Sequence, residues 1–386
     1  MLSKKIKTNN GITLVALVIT IIILLILATI SIQSLTNTGL FKKANEAKEK
    51  TQNAAENQAK TINEYEDELN KYISGAVKEP FKGKTVIDAI QYADVLNKND
   101  NTELQDAYGN KIVVPAGFKI TNDATTVDKG IVIEDSTSAT TAGSQFVWIP
   151  VGKIYTDTAR TEANAKTIEL NRYTFDESGN STAQGENVIE TYYQELETSN
   201  KGNTVAKSIP NFKESVETNC GYYIGRYEAR TTTERNSKDD ELTQITEKGI
   251  NPVYNWVTQL QAASQAQSMY NSNKFTSDLI NSYAWDTAIT FIQRFTEQTN
   301  YANQNSLNIG SIAQTGTKND KQCNIYDMAS NIWEWTTETS IFSELPCVLR
   351  GGSYDYDGNY TSLRYGAKTV DNRHYGGFRP ILYVNV

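Results

Sequence analysis

The sequence predicts an α+β protein in which a long N-terminal helix precedes a strand-rich domain with irregular loops. Residues 8–41 contain no charged side chain, which favours an apolar helix. From Phe81 onward, short runs of β-branched and aromatic residues alternate with turn residues, which favours strands. A chain of 386 residues has room for more than one unit.

The apolar segment, residues 12–35, predicts a transmembrane helix. Its aliphatic run Ile12–Ile32, at about 1.5 Å per residue, would span the roughly 30 Å hydrocarbon core of a bilayer. The leader, residues 1–11, is basic and is expected on the cytoplasmic side. We therefore expect a single-pass protein of the cell membrane whose C-terminal domain is extracellular, at the cell surface. A cleavable signal peptide is the alternative, but its apolar core is usually shorter.

Residues 36–75 predict a helical stalk. No Gly or Pro interrupts the sequence between Gly39 and Gly75, and strong helix formers dominate it. Pairs such as Glu46 and Lys50, four residues apart, would support the helix.

The remaining chain predicts a small strand-rich segment at 81–143 and a larger domain at 144–386. Within the latter, residues 153–218 are polar and indicate an insertion or a set of long loops. Two amphipathic helices are expected, at Val257–Tyr270 and Ser277–Phe295.

Composition excludes several classes of function. The net charge of −8 and the lack of a basic groove argue against nucleic-acid binding. Three cysteines do not make a disulfide framework, although a Cys323–Cys347 bridge is an alternative that the sequence leaves open. With one histidine and no CxxC, HExxH or GxGxxG pattern, the common catalytic motifs are absent.

The boundary between leader and apolar segment, Gly11-Ile12-Thr13-Leu14, resembles the cleavage site of type IV prepilins and pseudopilins. The resemblance covers about residues 1–70. It implies cleavage between Gly11 and Ile12 by a prepilin peptidase, and sibling pilin subunits as partners. Ala16 stands where that family usually has a glutamate, which counts against filament assembly. A plain N-terminal anchor is the alternative.

Four motifs occur in the order found in the formylglycine-generating enzyme family, which the chain resembles over residues 144–386. They are Tyr222–Glu228, Tyr326–Trp335, Arg350–Ser353 and Gly377–Arg379. The resemblance implies the family's variant of the C-type lectin fold.

The same resemblance implies a calcium site. Four positions match family residues that coordinate calcium through side-chain or backbone oxygens: Asp327, Ser330, Ile332 and Glu334. Oxygen ligands suit this hard cation. An ion-pair network between the acids and Arg350, Arg364 or Arg379 is the alternative.

The resemblance does not extend to the family's catalytic cysteines, whose positions are here Tyr356 and Thr361. Cys347 precedes the Arg350–Ser353 motif and does not replace them by position. Without the thiolates this oxidation cannot run, so we expect no enzymatic activity.

The segment between the last two motifs, residues 354–375, has the composition of an adaptable binding surface. It holds five tyrosines in 22 residues, whereas the whole chain holds 22 in 386. The candidate ligand-binding residues are Tyr354, Asp355, Tyr356, Asp357, Asn359, Tyr360, Tyr365, Asp371, Asn372, His374 and Tyr375. Ordinary surface loops that close the sheet are the alternative.

The placement of this segment resembles that of the variable residues in lectin-fold proteins diversified by retroelements. The resulting hypothesis is a membrane-anchored display protein, a receptor or adhesin, that binds an unknown extracellular protein or glycan. The alternatives are a subunit of a type IV filament or secretion system, and an enzyme related to formylglycine-generating enzyme.

Overall fold

The chain divides into two compact units, Met1–Lys78 and Glu79–Val386. The computed structural model describes residues 17–25, 48, 50–51, 85–91, 97–136, 140–184, 192–198, 202–243, 245, 252–305, 310–317, 320–356 and 358–386.

In the first unit, residues 17–25 are helical and their aliphatic side chains are about half exposed. None of the helices in the described ranges is both long enough and apolar enough to cross a membrane. This finding contradicts the predicted single-pass membrane location with an extracellular C-terminal domain. A long N-terminal helix is likewise not seen in the described residues. The leader, with Gly11 and Ile12, and most of the stalk lie outside them.

The described residues of the second unit contain four α-helices and nineteen strands. The helices are α1 (Val86–Gln91), α2 (Ile209–Asn219), α3 (Gln259–Ser268) and α4 (Ser282–Phe295). The strands are β1 (Thr102–Gln105), β2 (Lys111–Val114), β3 (Phe118–Ile120), β4 (Val132–Asp135), β5 (Gln145–Pro150), β6 (Gly152–Tyr155), β7 (Ala165–Ile168), β8 (Tyr173–Phe175), β9 (Ser181–Ala183), β10 (Tyr193–Glu195), β11 (Gly221–Gly225), β12 (Phe275–Leu279), β13 (Lys321–Gln322), β14 (Ile325–Tyr326), β15 (Trp333–Ser340), β16 (Cys347–Arg350), β17 (Tyr365–Ala367), β18 (Gly376–Phe378) and β19 (Pro380–Val384).

The central layer is a six-stranded antiparallel sheet in the order β12-β19-β11-β5-β4-β3. Both of its faces are buried. In β5, Phe146 and Trp148 belong to one buried cluster, whereas Val147 and Ile149 belong to the other. Side chains of a strand alternate between faces, so an uninterrupted apolar run fits a strand that is covered on both sides.

Helices α2 and α4 cover one face of this sheet. Phe212 of α2 and Trp285 of α4 are fully buried in the same cluster as Ile149. Asn281 caps α4, because its side chain accepts a hydrogen bond from the backbone N–H of Ala284. Helix α3 packs on the opposite face through buried alanines such as Ala262.

A second, five-stranded sheet carries the C-terminal motifs. Its main path is β10-β15-β16-β17, and β18 pairs in parallel with the first half of β15. Trp333, Trp335 and Leu349 of this sheet pack into the cluster that contains α3. The second sheet is therefore tied to the central layer through one shared core.

Three features differ from the sequence-based expectations. Strand β4 pairs with β5, so a boundary between 143 and 144 would separate two neighbouring strands of one sheet. The polar stretch 153–218 holds two hairpins, β6–β7 and β8–β9, the strand β10 and the helix α2. The helix predicted to begin at Ser277 begins at Ser282, since residues 275–279 are needed as strand β12 beside β19.

Candidate functional site

The floor of the candidate site is a row of side chains across three strands of the second sheet. Trp335 of β15 pairs with Leu349 of β16, and Leu349 pairs with Tyr365 of β17. Residues that are directly opposite in antiparallel strands share one face. The indole N–H of Trp335 donates to the carbonyl of Val257 at 2.8 Å, and the Trp333 ring stacks on Tyr365 with centroids 5.1 Å apart. The floor is therefore apolar and largely aromatic, and its rings are held in place.

A cavity of about 270 Å³ lies on this row, and we call it the C-terminal cavity. Leu345 forms one wall, and Asp371, Arg373 and Tyr375 form another. The carboxylate of Asp371 accepts a hydrogen bond from the backbone N–H of Lys368 at 2.9 Å and lies 3.8 Å from the Arg373 guanidinium. The cavity thus combines an apolar floor with one acidic and one basic group at its rim.

An aromatic group adjoins this cavity and connects the two ends of the predicted binding segment. The hydroxyl of Tyr354 and Nδ1 of His374 form a hydrogen bond of 2.6 Å. The His374 ring also contacts Tyr375, with centroids 5.1 Å apart, and Trp256, with centroids 5.6 Å apart. Residues that are twenty positions apart in the sequence therefore form one surface.

Trp256 is a half-buried residue that the sequence reasoning did not assign to the binding surface. Its φ of 57° is in the left-handed region, which is rare for a bulky side chain. Its backbone N–H donates to the carbonyl of Arg373 at 3.2 Å, and the Asn255 side chain donates to the carbonyl of His374 at 2.9 Å. A tryptophan in a polar stretch just before a helix was the available signal.

The other predicted ligand-binding residues differ in how much of their surface is exposed. Asp355 and Tyr356 are exposed, and Tyr356 keeps 63% of its surface accessible. Tyr360 is half-buried and forms a β-bridge with Asn305. Asn359 is buried, with only 6% of its surface accessible, so a ligand on the surface would not reach it. Asn372 is half-buried, and Asp357 lies outside the described residues.

Two buried acids fix the segment that leads into the cavity. Arg364 donates to Glu338 at 2.7 Å and to Asp286 at 2.6 Å, and Arg350 donates to Asp286 at 2.6 Å. Burial alone would raise the pKa of Glu338, but the charges of Arg364, Arg172 and Arg350 together lower it to about 2. These arginines thus pair with acids other than the expected Glu334 and Asp327. These buried ion pairs therefore fix the position of the chain just before Tyr365.

The predicted calcium residues lie close together in sequence but do not present four available ligands. Arg379 donates to both carboxylate oxygens of Glu334, as in the ion-pair alternative. Oδ2 of Asp327 accepts from the backbone N–H of Gly316 at 2.7 Å. Oδ1 of Asp327 and Oγ of Ser330 are buried and have no hydrogen-bond partner. Two oxygens therefore fit a cation, whereas the carboxylate of Glu334 is engaged by an arginine. The backbone N–H of Ile332 donates to Glu228 at 3.1 Å.

Electrostatics around these residues are strongly acidic. Burial raises the pKa of Glu228 well above its ordinary value, and the charges of Asp327 and Glu334 raise it further. Burial also raises the pKa of Asp327, to about 7, and raises that of Asp320. Nevertheless, in the described part of the chain no three His, Cys, Asp or Glu side chains are arranged to hold a metal ion. Calcium binding stays a prediction.

The cysteines are all free thiols, so the Cys323–Cys347 bridge is not formed. Cys347 is buried beside the C-terminal cavity, and burial, followed by the charge of Asp371, raises its pKa to about 12. Its nucleophilic thiolate form is therefore strongly disfavoured at neutral pH.

A larger cleft of about 1040 Å³ lies between β10, α2 and the start of α4, and sequence reasoning did not point to it. Glu195, Glu197 and Glu214 line it. Burial, followed by the charge of Glu338, raises the pKa of Glu195 to about 7. The cleft is acidic, which separates it in chemistry from the C-terminal cavity.

A comparison with known protein families agrees with the motifs. The family described as "Sulfatase-modifying factor enzyme 1-like domain" matches residues 133–382. No curated protein matches the sequence. Among solved structures, "Treponema denticola variable protein 1" is 12% identical, with 68% of this chain and 98% of that chain covered and a TM-score of 0.34. "Major Tropism Determinant I1 Variant" is 13% identical, with 80% and 100% covered and a TM-score of 0.29. TM-scores this low establish neither a shared fold nor a shared function.

Proposed function

The chain belongs to the sulfatase-modifying factor enzyme 1-like family, and within that family we propose that it binds a ligand noncovalently at the C-terminal cavity. One observation carries the proposal. A cavity of about 270 Å³ lies on a fixed aromatic floor, and Tyr365, Asp371 and Tyr375 of the tyrosine-rich segment line it. A concave, mostly apolar site with a few polar groups is the usual form of a binding site.

The chemistry of the surrounding surface supports recognition. Tyrosine offers a large contact area at low cost in conformational entropy, and short polar residues offer hydrogen bonds. Tyr365 is 47% exposed, although Trp333 holds its ring by stacking. Binding here would order few side chains that are not already ordered, which favours affinity.

The residues at the family's catalytic positions argue against oxidation as the function. Tyr356 and Thr361 carry no thiol, and Thr361 is buried. Cys347 is close to the cavity, but its raised pKa disfavours the thiolate that the reaction needs. We therefore place an enzyme last among the candidate functions.

A binding screen tests the proposal. The full-length chain is screened against a glycan array and a displayed peptide library, and each binder is then measured with Tyr365→Ala and Tyr375→Ala. Leu260→Ala is the matched control, because Leu260 is an exposed apolar residue on α3 that does not line the cavity. The proposal predicts at least tenfold weaker binding for both tyrosine variants and unchanged binding for the control. Binders whose affinity is the same for both tyrosine variants as for the unchanged chain would refute the proposal.

We propose further that retroelement-driven diversification acts on residues 354–375. The segment lies between two family motifs, and several of its side chains, such as Tyr356, Tyr365 and Val370, are exposed. Sequencing the locus in many clones of one strain tests this. Substitutions at the exposed codons, with a nearby near-copy that differs at adenines, are expected. An invariant segment without such a copy would mean a binder of fixed specificity.

Calcium is a second and separate proposal. The unpartnered Oδ1 of Asp327 and Oγ of Ser330 support a cation at this point, because a buried polar atom without a partner costs free energy. Titration of the full-length chain with Ca²⁺ should raise its melting temperature, and Asp327→Asn should reduce the rise. No change in melting temperature at millimolar Ca²⁺ would leave the ion pair of Glu334 with Arg379 as the complete arrangement.

The filament alternative stays a prediction. Gly11, Ile12 and Ala16, on which it depends, lie outside the described residues. Mass spectrometry of the N-terminus would show whether the chain begins at Ile12.

A further inference from the structure

An exposed apolar strip runs away from the C-terminal cavity over residues that the sequence analysis did not assign. It consists of Tyr192, Ile341, Phe342 and Leu345, which keep 45%, 47%, 48% and 38% of their surfaces exposed. Tyr192 directly precedes β10, and the other three lie in the turn between β15 and β16.

Direct contacts join the strip to the cavity. Leu345 lines the cavity, and its Cβ lies so close to Gly366 of β17 that a Cβ added there would be 3.2 Å away. The backbone N–H of Leu345 donates to the carbonyl of Phe342 at 3.0 Å. The Phe342 ring in turn stacks on Tyr192, with centroids 5.0 Å apart. Strip and cavity are one continuous surface.

The strip is rigid as well as apolar. The backbone N–H of Ile341 donates to the carbonyl of Tyr192 at 2.8 Å, which extends the pairing of β10 with β15. The two rings are nearly parallel, at 24°, so each supports the other. Contiguous exposed apolar surface of this kind marks sites of association.

We infer that the ligand of the proposed site is a protein, which inserts one apolar side chain into the C-terminal cavity and lays apolar neighbours on the strip. The inference rests on the proposed function. It follows from the continuity of the two surfaces, because Leu345 both lines the cavity and belongs to the strip. A ligand confined to the cavity would leave the strip in water.

The chemistry of the strip also favours a protein over a glycan. Only Tyr192 of the strip has a side-chain hydrogen-bonding group. Sugar hydroxyls buried against Ile341, Phe342 and Leu345 would therefore lose their bonds to water without replacement. Apolar side chains of a protein lose nothing there. The charged rim of Asp371 and Arg373 beside an apolar centre matches the usual anatomy of protein interfaces.

The test uses peptides selected from a displayed library on the full-length chain. Their affinities are measured for Phe342→Ala and Leu345→Ala on the strip, Tyr365→Ala in the cavity, and Leu260→Ala as the control, whose exposure of 43% is close to that of Leu345. Thermal unfolding confirms that each variant folds, and Ile341→Ser replaces any strip variant that does not. We expect at least tenfold weaker binding for the strip and cavity variants, with the control unchanged.

The outcomes separate this inference from the function on which it rests. If only Tyr365→Ala weakens binding, the strip does not contact the ligand, but the cavity is still a binding site. A glycan that binds through Tyr365, with no peptide selected, overturns the protein ligand and also keeps the site. Binding that is insensitive to Tyr365 and to the strip overturns both.

Discussion

At the scale of single residues, the acidic group beneath the C-terminal motifs depends on one ion pair. Arg379 donates to both oxygens of Glu334, and also to the carbonyls of Gly225 at 3.0 Å and Tyr326 at 2.9 Å. Both partners are buried, so neither charge is solvated when the other is removed. Removing one partner of this buried pair costs more free energy of folding than the intact pair contributes.

Replacing Arg379 by Met should therefore destabilise the fold by about 3–5 kcal/mol, because the Glu334 carboxylate would be left buried without a partner. Urea unfolding followed by circular dichroism measures the change. Lys153→Met, which breaks the exposed pair of Lys153 with Glu162, is the control and should leave the midpoint unchanged. Equal effects of the two substitutions would contradict the assigned role.

The raised pKa of Asp327 predicts that the stability of the fold depends on pH. Burial is the main cause that raises its pKa, from 3.8 in the unfolded chain to about 7. Between these values the folded state holds the proton and the unfolded state does not, so the contribution of Asp327 to stability falls as the pH rises from about 4 to 7. Asp327→Asn removes this contribution and keeps a residue that tolerates the observed φ of 61°.

The stability gained by Asp327→Asn should accordingly grow with pH, from near zero at pH 4 to the order of a few kcal/mol at pH 7. Melting temperatures of both proteins across this range, without added Ca²⁺, measure it. A difference that is constant with pH would show that Asp327 does not titrate in this window.

At the scale of elements, the binding surface is divided between a clamped part and an open part. Arg364 is held by Glu338 and Asp286, and the Trp285 indole N–H donates to the carbonyl of Thr361 at 3.1 Å. The strand β17 that follows carries Tyr365 with its side chain open to solvent. A fixed backbone with an open side chain is suited to binding without a large entropic cost.

The ion pairs of Arg364 with Glu338 and Asp286, which we call the clamp, lead to a prediction for Arg364→Lys. The substitution keeps the charge, but an ammonium group lacks the planar fork that reaches both acids at once. Amide hydrogen exchange of residues 360–367, followed by mass spectrometry, should become faster. Arg373→Lys is the matched control, because Arg373 is exposed and lies 3.8 Å from its acid. Unchanged exchange in Arg364→Lys would show that the clamp does not order this segment.

The elements also show what the sequence could and could not predict. The apolar run at residues 146–149, which forms most of β5, and the amphipathic pattern of α4 were recognisable from the sequence, because burial selects apolar residues at regular positions. The start of α4 was misplaced, since Ser277 and its neighbours fit a helix locally but pair with β19 in the sheet. The contacts of Trp256 with His374 and of Phe342 with Tyr192 were missed, because the two residues of each pair are far apart in sequence.

At the scale of the whole molecule, the two units make a simple prediction. Both large buried clusters lie within the second unit, Glu79–Val386. A protein that begins at Glu79 should therefore unfold in one cooperative transition, with a melting temperature close to that of the full chain. Differential scanning calorimetry of the two proteins measures this. Loss of the transition on truncation would show that residues 1–78 are needed for folding.

The central claim is that ligand contacts the C-terminal cavity, and a hydrogen-exchange footprint tests it most directly. The full-length chain is compared with and without a binder obtained from the peptide or glycan screen. The account predicts protection in residues 364–376, which include Tyr365 and Tyr375. Protection confined to the acidic cleft beside α2, with residues 364–376 unchanged, would contradict it.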